Sequence, residues 1–454
     1  LKLLDSLKIK KKFETILHHC CYISMLERPP IITKEQEKKT SQTAFEPEIE
    51  KLNAGYPYWD KVKYFHLPNI NPEELWFAIK KLRRINRTFL TFGKYKFSFT
   101  VNDEIIKLLH YFDMNIGGNF KTSHILPYEN KNTLLISSIM EEAIASSQME
   151  GAATTRKVAK NMLRKKEKPK NKDQQMILNN YQTINYIKEN IYKNFSVKIL
   201  KDIHHSMTKK TLENETDSGQ FREHNNIIVM DGLTGETAHC PPDYQELKEL
   251  ISDLEKFFNG KDKIFIHPII KAIIIHFIMS YIHPFTDGNG RTARSLFYWY
   301  MIKHGYLLIE YMPISRIIYK TKRMYEKAFL YTEYDENDLT YFILYNLRTI
   351  KKAFEDLKVY INRKTQENKN PLLLSYINGI NERQGEIIQI VRENPDIMLT
   401  VREIENRFAV SNFTARSDLE GLVKLEFLSE INLNKVKRAY VRSKVFDSLL
   451  ENVP

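Results

Sequence analysis

Apolar positions recur at helical spacing along most of this chain. Ile136, Ile139, Met140, Ala143 and Ile144 fall on one face of a helix over Ser137–Met149, and the same period marks Tyr244–Phe258 and Thr292–His304. Pro72 to Leu82 starts another helix, with Asn71 placed to cap it. The segment Ile269–Phe285 is the most apolar in the chain and is broken by Lys271 and His276. It predicts a buried helix, because a membrane span needs about 18 unbroken apolar residues.

Two features break this helical text. Asn225–Met230 and Glu236–Cys240 are short extended runs around Asp231-Gly-Leu-Thr-Gly235, which predicts a β-hairpin inside a helical domain. After the polar stretch Gln366–Pro371 the pattern restarts. Leu399–Val410, Ser411–Val423 and Ile431–Val441 then read as helix, short turn, helix and strand pair, the order of a winged helix-turn-helix. The predicted class is mainly α. Its parts are an extension over 1–55 with no strong period, expected to be partly mobile, a helical domain over 56–133, a helical core over 134–365 and the winged helix over 371–454.

A length of 454 residues, about three times the ~150 typical of one domain, agrees with several units. Three cysteines, Cys20, Cys21 and Cys240, make neither a disulfide framework nor a zinc spacing, so a reducing compartment is expected. Residues 1–12 lack the ~7–15-residue apolar core of a secretory signal. The expectation is a cytoplasmic protein with no membrane partner. The adjacent residues His18, His19, Cys20 and Cys21 diverge too widely to close a tetrahedral metal site.

Charge narrows the partners only partly. Lys and Arg total 69 against 56 Asp and Glu, a net +13 that favours anionic ligands. Nine of these cations lie between Arg156 and Lys172 with one acid, Glu167, which reads as a solvated face or an anionic docking site. From Glu382 to Pro454, eleven basic residues meet twelve acidic ones, so the winged helix lacks the excess of a duplex reader. Its cations gather at Lys435, Lys437, Arg438, Arg442 and Lys444.

The candidate chemistry sits in one string, His283-Pro-Phe-Thr-Asp-Gly-Asn-Gly-Arg-Thr-Ala-Arg294, directly after the buried helix and before another. Gly288 and Gly290 let backbone N–H groups turn inward, the next helix aims its positive end the same way, and Arg291 and Arg294 lie one turn apart. Such a pocket wants phosphates. Asp287 adds a hard oxygen ligand suited to Mg²⁺, and His283 is the group able to move a proton near neutral pH. The chain has no G-x-x-x-x-G-K-[ST] phosphate loop. His276, on the apolar helix, reads as a core histidine.

This string resembles, position for position, the signature H-P-F-x-[D/E]-G-N-G-R-x-x-R of the Fic family of nucleotidyl transferases. The resemblance extends through Gly219-Gln-Phe-Arg222, the hairpin ending at Pro241-Pro242 and the helical run to Leu357. The flanking parts look like those of multidomain bacterial Fic proteins. The resemblance implies a helical Fic core with a hairpin flap, and transfer of AMP from ATP to a Ser, Thr or Tyr hydroxyl of a target protein or of the protein itself. By it, His283 is the base, Asp287 holds Mg²⁺, Asn289 and the amides of Gly288 and Gly290 orient phosphate oxygens, and Arg291 and Arg294 offset charge on the β- and γ-phosphates. An acceptor segment could pair with a strand edge over Asn225, Asn226, Ile227, Ile228, Val229 and Met230.

Ser146, Glu150 and Gly151 resemble the family's inhibitory pattern [S/T]-x-x-x-E-[G/N]. That resemblance implies that Glu150 pairs with Arg294 and restrains transfer. Three alternatives stay open: a DNA-binding regulator acting through the winged helix with a nucleotide-sensing core, a Fic enzyme making another transfer, and one removing AMP. A homodimer is also left open.

Overall fold

The computed structural model describes residues 26–31, 47–117, 131–230, 235–260, 264–368, 379–432 and 438–451. His18–Cys21, the turn over 231–234 and the wing residues Lys435 and Lys437 lie outside these. The chain is mainly helical, and its described residues include three separate two-stranded antiparallel pairs. It divides into two compact units.

The first unit holds the chain up to 115 together with residues 185–306 and 317–351. It opens with α1 (Pro47–Asn53), α2 (Trp59–Val62) and α3 (Pro72–Arg84). Asn71 caps α3 through a reciprocal pair: its side chain accepts from the Glu74 amide, and the Glu74 side chain accepts from the Asn71 amide. α1 lies within the stretch where the sequence pattern predicts no element, and its Ile49 is fully buried. Upstream, the Glu27 carboxylate accepts from Trp59 Nε1 at 2.9 Å.

A hairpin, β1 (Arg87–Phe92) with β2 (Tyr95–Thr100), follows where the sequence pattern suggests helix. Aromatic and β-branched residues on both arms (Thr88, Phe89, Thr91 and Phe92; Tyr95, Phe97, Phe99 and Thr100) and the turn at Gly93-Lys94, with Gly93 at φ +53°, explain it. α4 (Asp103–Asn115) completes this part. Arg83 is buried and donates to Tyr341 Oη and to the Pro57 carbonyl, each at 2.7 Å, while Lys80 pairs with buried Asp335 at 2.5 Å. Buried charges persist only when so satisfied.

The remainder of this unit comprises α8 (Val197–Thr208), the short strands β3 (Val229–Met230) and β4 (Thr237–His239), α9 (Leu247–Phe258), α10 (Pro268–Ile282), α11 (Asn289–Lys303), α13 (Lys322–Tyr334) and the first part of α14 (Thr340–Asn368). α10 starts at Pro268 behind His267, whose ring accepts from the Ile269 amide. It is buried along nearly its whole length and packs on α11. His276 lies in this core with its Nε2 2.9 Å from Tyr325 Oη. Among the described residues, no helix is long and apolar enough to cross a membrane.

The second unit holds residues 116–184, 307–316 and 352–454. α5 (Lys131–Met149), α6 (Arg156–Lys165) and the first part of α7 (Lys172–Glu189) share a small core of Met140, Ile144, Ala159, Met162, Leu163 and Ile177. Two of the nine clustered cations are spent internally: Arg156 and Lys160 both reach the Glu141 carboxylate. α12 (Ile314–Lys320) begins here, where Ser315 N donates to Glu142 at 2.9 Å.

The C-terminal segment of this unit runs α15 (Glu382–Glu393), α16 (Val401–Phe408), α17 (Asn412–Lys424), β5 (Leu428–Asn432), β6 (Arg438–Arg442) and α18 (Phe446–Glu451). Ile387, Ile388, Ile404, Leu419, Leu422 and Tyr440 make its core. Thr400 and Ser411 cap α16 and α17 in turn. α16 also packs on α5 and α6, and Asn406 donates to the Arg164 carbonyl at the end of α6.

Candidate functional site

α10 stops at His283, whose backbone turns left-handed (φ 48°) while its amide still bonds the Met279 carbonyl at 3.2 Å. A side-chain-bearing residue in that region is uncommon and marks a sharp change of direction. His283 Nδ1 lies 3.2 Å from the Ser280 carbonyl. A carbonyl only accepts, so Nδ1 carries the hydrogen and Nε2 is the basic nitrogen of this half-buried ring.

The next residues form a loop braced from inside. Asn289, the first residue of α11, accepts from the Phe285 amide at 3.0 Å and donates to the Phe285 carbonyl at 2.8 Å. Its side chain thus closes its own loop, a use that the resemblance does not imply. Gly288 sits at φ +80°, and a Cβ there would stand 2.8 Å from Thr208 Cγ2. Thr292 Oγ1 in α11 donates back to the Gly288 carbonyl at 2.9 Å. Gly290 follows in the first turn of α11, whose amides and dipole face the loop.

Charge converges at the same place. Arg291 is fully buried, donates to the Met207 carbonyl at 3.3 Å and stands 3.6 Å from Asp287 Oδ2. Arg294 is buried one turn later. Asp287 keeps half of its side chain exposed, and its Oδ1 accepts from the Gly288 amide at 2.5 Å. Among the described residues, no three His, Cys, Asp or Glu side chains cluster for a metal. A lone accessible carboxylate nonetheless fits Mg²⁺ that takes its other ligands from phosphate and water.

Arg222 ties the predicted flap to this loop. Its Nε donates to the His283 carbonyl at 3.0 Å, its Nη1 to the His224 carbonyl and Asn225 Oδ1 at 3.1 Å each, and its Nη2 to the Pro242 carbonyl. Its backbone amide reaches the Pro284 carbonyl at 2.8 Å. The flap's strand is shorter than the sequence suggests: only Val229 and Met230 pair, with a bulge against Thr237 and His239. Asn225 turns to the flap's base, bonding the Tyr244 amide and Asp243, and Asn226, Ile227 and Ile228 precede the strand. Ile228 and Met230 are exposed.

Residues 194–301, which hold all of this geometry, match the Fic/DOC family. This chain carries a Fic domain. The protein adenylyltransferase Fic of Aedes aegypti is 38% identical over 68 residues, 15% of this chain and 14% of that protein. That of Nematostella vectensis is 34% identical over 90 residues, 20% of this chain and 19% of its own length. The chain therefore spans less than a fifth of the length of these curated relatives. A solved Fic family protein from Desulfovibrio desulfuricans G20 is 16% identical, covering 76% of this chain and 97% of its own with a TM-score of 0.49.

Around the Fic loop stand two histidines that sequence reasoning does not find. His239 on β4 faces Glu333 Oε2 through Nδ1 and the Tyr281 carbonyl through Nε2, each at 2.8 Å. Burial alone lowers its pKa, but Glu333 outweighs this and the net direction is up. His204 on α8 lies against the loop itself, and burial pushes its pKa down to about 4. Neither sits in a local motif. Arg222 is visible in the sequence only as the end of Gly219-Gln-Phe-Arg222.

The three predicted inhibitory residues belong to the second unit. Ser146 is buried in the last turn of α5. Glu150 is exposed in the turn that ends the helix, with its amide on the Ser147 carbonyl at 3.1 Å, and Gly151 follows at φ +95°.

Proposed function

We propose that this protein transfers AMP from ATP to a side-chain hydroxyl of a protein, either a target or itself. The observation that carries the reading is the 3.2 Å contact of His283 Nδ1 with the Ser280 carbonyl: an acceptor there places the hydrogen on Nδ1 and leaves Nε2 as the nitrogen to accept a proton beside an anion-binding loop. In the proposed step Nε2 takes the hydroxyl proton, the oxygen attacks the α-phosphorus, and the bond to the β-phosphate oxygen breaks to release pyrophosphate. Arg291, Arg294, the amides of Gly288 and Gly290 and the end of α11 offset the phosphate charge, so catalysis is mostly positioning and electrostatics. Mg²⁺, held by Asp287, would neutralise charge on the α- and β-phosphates.

The exposed flap edge at Val229–Met230 supports docking of an acceptor segment as an added strand, which leaves the choice among Ser, Thr and Tyr to the target. Restraint by Glu150 belongs to the same reading: a carboxylate competing with the γ-phosphate for a cation lets ATP bind unproductively. The test uses ATP labelled at the α-phosphate. Glu150→Gly should label itself or a partner, and adding His283→Ala should abolish the label. Label transferred only from the γ position would replace this reading with a kinase-like one.

The C-terminal segment fits a winged helix in which α17 is the docking helix, since Asn412, Phe413, Arg416 and Ser417 face solvent. Duplex DNA is its candidate partner. Salt-dependent binding to a duplex, unchanged by His283→Ala, would support that second role.

A further inference from the structure

One imidazole outside the motif meets the Fic loop in two ways and the Gly219 backbone in a third. His204 Nε2 lies 2.8 Å from the Asp287 carbonyl, and the Gly219 amide donates to His204 Nδ1 at 2.9 Å. The ring stacks on Phe285 with centroids 3.6 Å apart and planes within 1°. An amide only donates and a carbonyl only accepts, so both partners select the same neutral tautomer, with hydrogen on Nε2. The residue is fully buried. Its ring can neither flip nor charge without breaking a bond.

The contacts surround the loop's tightest point. The backbone held by Nε2 is Asp287, the next residue is Gly288, and a Cβ on Gly288 would also approach His204 Nε2 at 3.4 Å. Thr208, whose methyl fills the other side of Gly288, donates its hydroxyl to the His204 carbonyl at 2.8 Å. On the far side, Gly219 has φ +77° and lies so close to α8 that a Cβ would stand 3.1 Å from the Lys201 carbonyl. α8 is thus fitted to the loop by one ring and two glycines.

We infer that His204 is a positioning residue: it holds the Asp287 carbonyl and the Phe285 ring so that the 285–288 backbone keeps its conformation before ATP arrives. It touches no reacting atom. The consequence for rate rests on the proposed AMP transfer, but the effect on loop order does not. A ring that only fills space would be replaceable by phenylalanine, which keeps the stack and loses both hydrogen bonds. Glutamine places its terminal nitrogen near Nε2 and keeps the donor to Asp287 without the stack.

The experiment is hydrogen exchange by mass spectrometry on the full chain carrying Glu150→Gly, alone and with His204→Phe, His204→Gln or His204→Ala. Peptides covering 285–292 report the loop, and peptides from α9 report global folding. His204→Phe should speed exchange in 285–292 about tenfold or more, with α9 unchanged, and His204→Gln should restore part of the protection. In the same proteins, kcat for α-labelled AMP transfer should fall about tenfold or more for His204→Phe, since small misplacements of a positioned group are costly. His204→Gln should recover part of that loss. Unchanged loop exchange in a folded His204→Phe protein overturns the inference. Absence of labelling in the Glu150→Gly parent counts against the proposed function alone, because the exchange measurement still decides the role of His204. Should His204→Ala unfold, the Phe and Gln proteins carry the decision.

Discussion

His283 Nδ1 lies 3.2 Å from the carbonyl oxygen of Ser280, three residues earlier in the chain. The left-handed turn at His283 bends the chain as α10 ends, and this bond fixes the ring's tautomer. Removing the ring should therefore cost proton transfer without unfolding the helix. In the Glu150→Gly background, His283→Ala should lower AMP transfer about a hundredfold or more, with the thermal midpoint nearly unchanged. Labelling kinetics and differential scanning fluorimetry on the same preparation check both halves.

Arg222 gives its guanidinium to acceptors on both ends of the flap and to the His283 carbonyl. Lysine supplies a single ammonium without that planar fork, so Arg222→Lys leaves buried carbonyls unmet. A loss of about 1–3 kcal/mol in urea unfolding is expected, together with faster proteolysis in the 224–242 flap. Wild-type stability and flap protection in the variant would show that the fork is dispensable.

Gly288 faces two separate obstacles to a side chain, its φ of +80° and the Thr208 methyl. Gly288→Ala should cost about 1–3 kcal/mol from backbone strain, plus whatever the clash adds. Thr208→Ser removes the methyl and keeps the hydroxyl bond to His204, so the double variant should recover only the clash. Equilibrium unfolding of the single and double variants separates the two.

Both partners of His239 are acceptors, an arrangement that favours hydrogen on both ring nitrogens and hence the cationic ring. Burial and Arg222 lower its pKa, Glu333 raises it, and the net value lies above the ordinary 6.5. A raised folded value means that its stabilisation is complete below about pH 6.5 and is lost as pH climbs through the folded pKa. His276 runs the other way. Burial first, and Arg294 second, push it down to about 3, so its contribution is complete above about pH 6.5 and declines as pH falls toward 3. A plot of melting temperature against pH should fall on both sides, and His239→Gln should flatten the alkaline limb while leaving the acid limb.

Much of this protein is local enough to be legible in sequence. The string from His283 to Arg294 is legible because its turn, its helix start and its two arginines one turn apart lie within twelve consecutive residues. The same holds for the capped start of α3 and the buried α10, whose patterns are periodic. The β1–β2 hairpin is equally local in its aromatic and Thr-rich arms around Gly93-Lys94, although the helical neighbours on either side mask it. What only the tertiary structure decided are the attachments. His204 meets Asp287 across 83 residues, Arg222 meets His283 across 61, and His239 meets Glu333 across 94. Such contacts form when α8, the flap and α13 pack around the loop, and their donors and acceptors are mostly backbone groups that every residue carries. Nothing in the residue names distinguishes one carbonyl from another, so only the packed chain selects them.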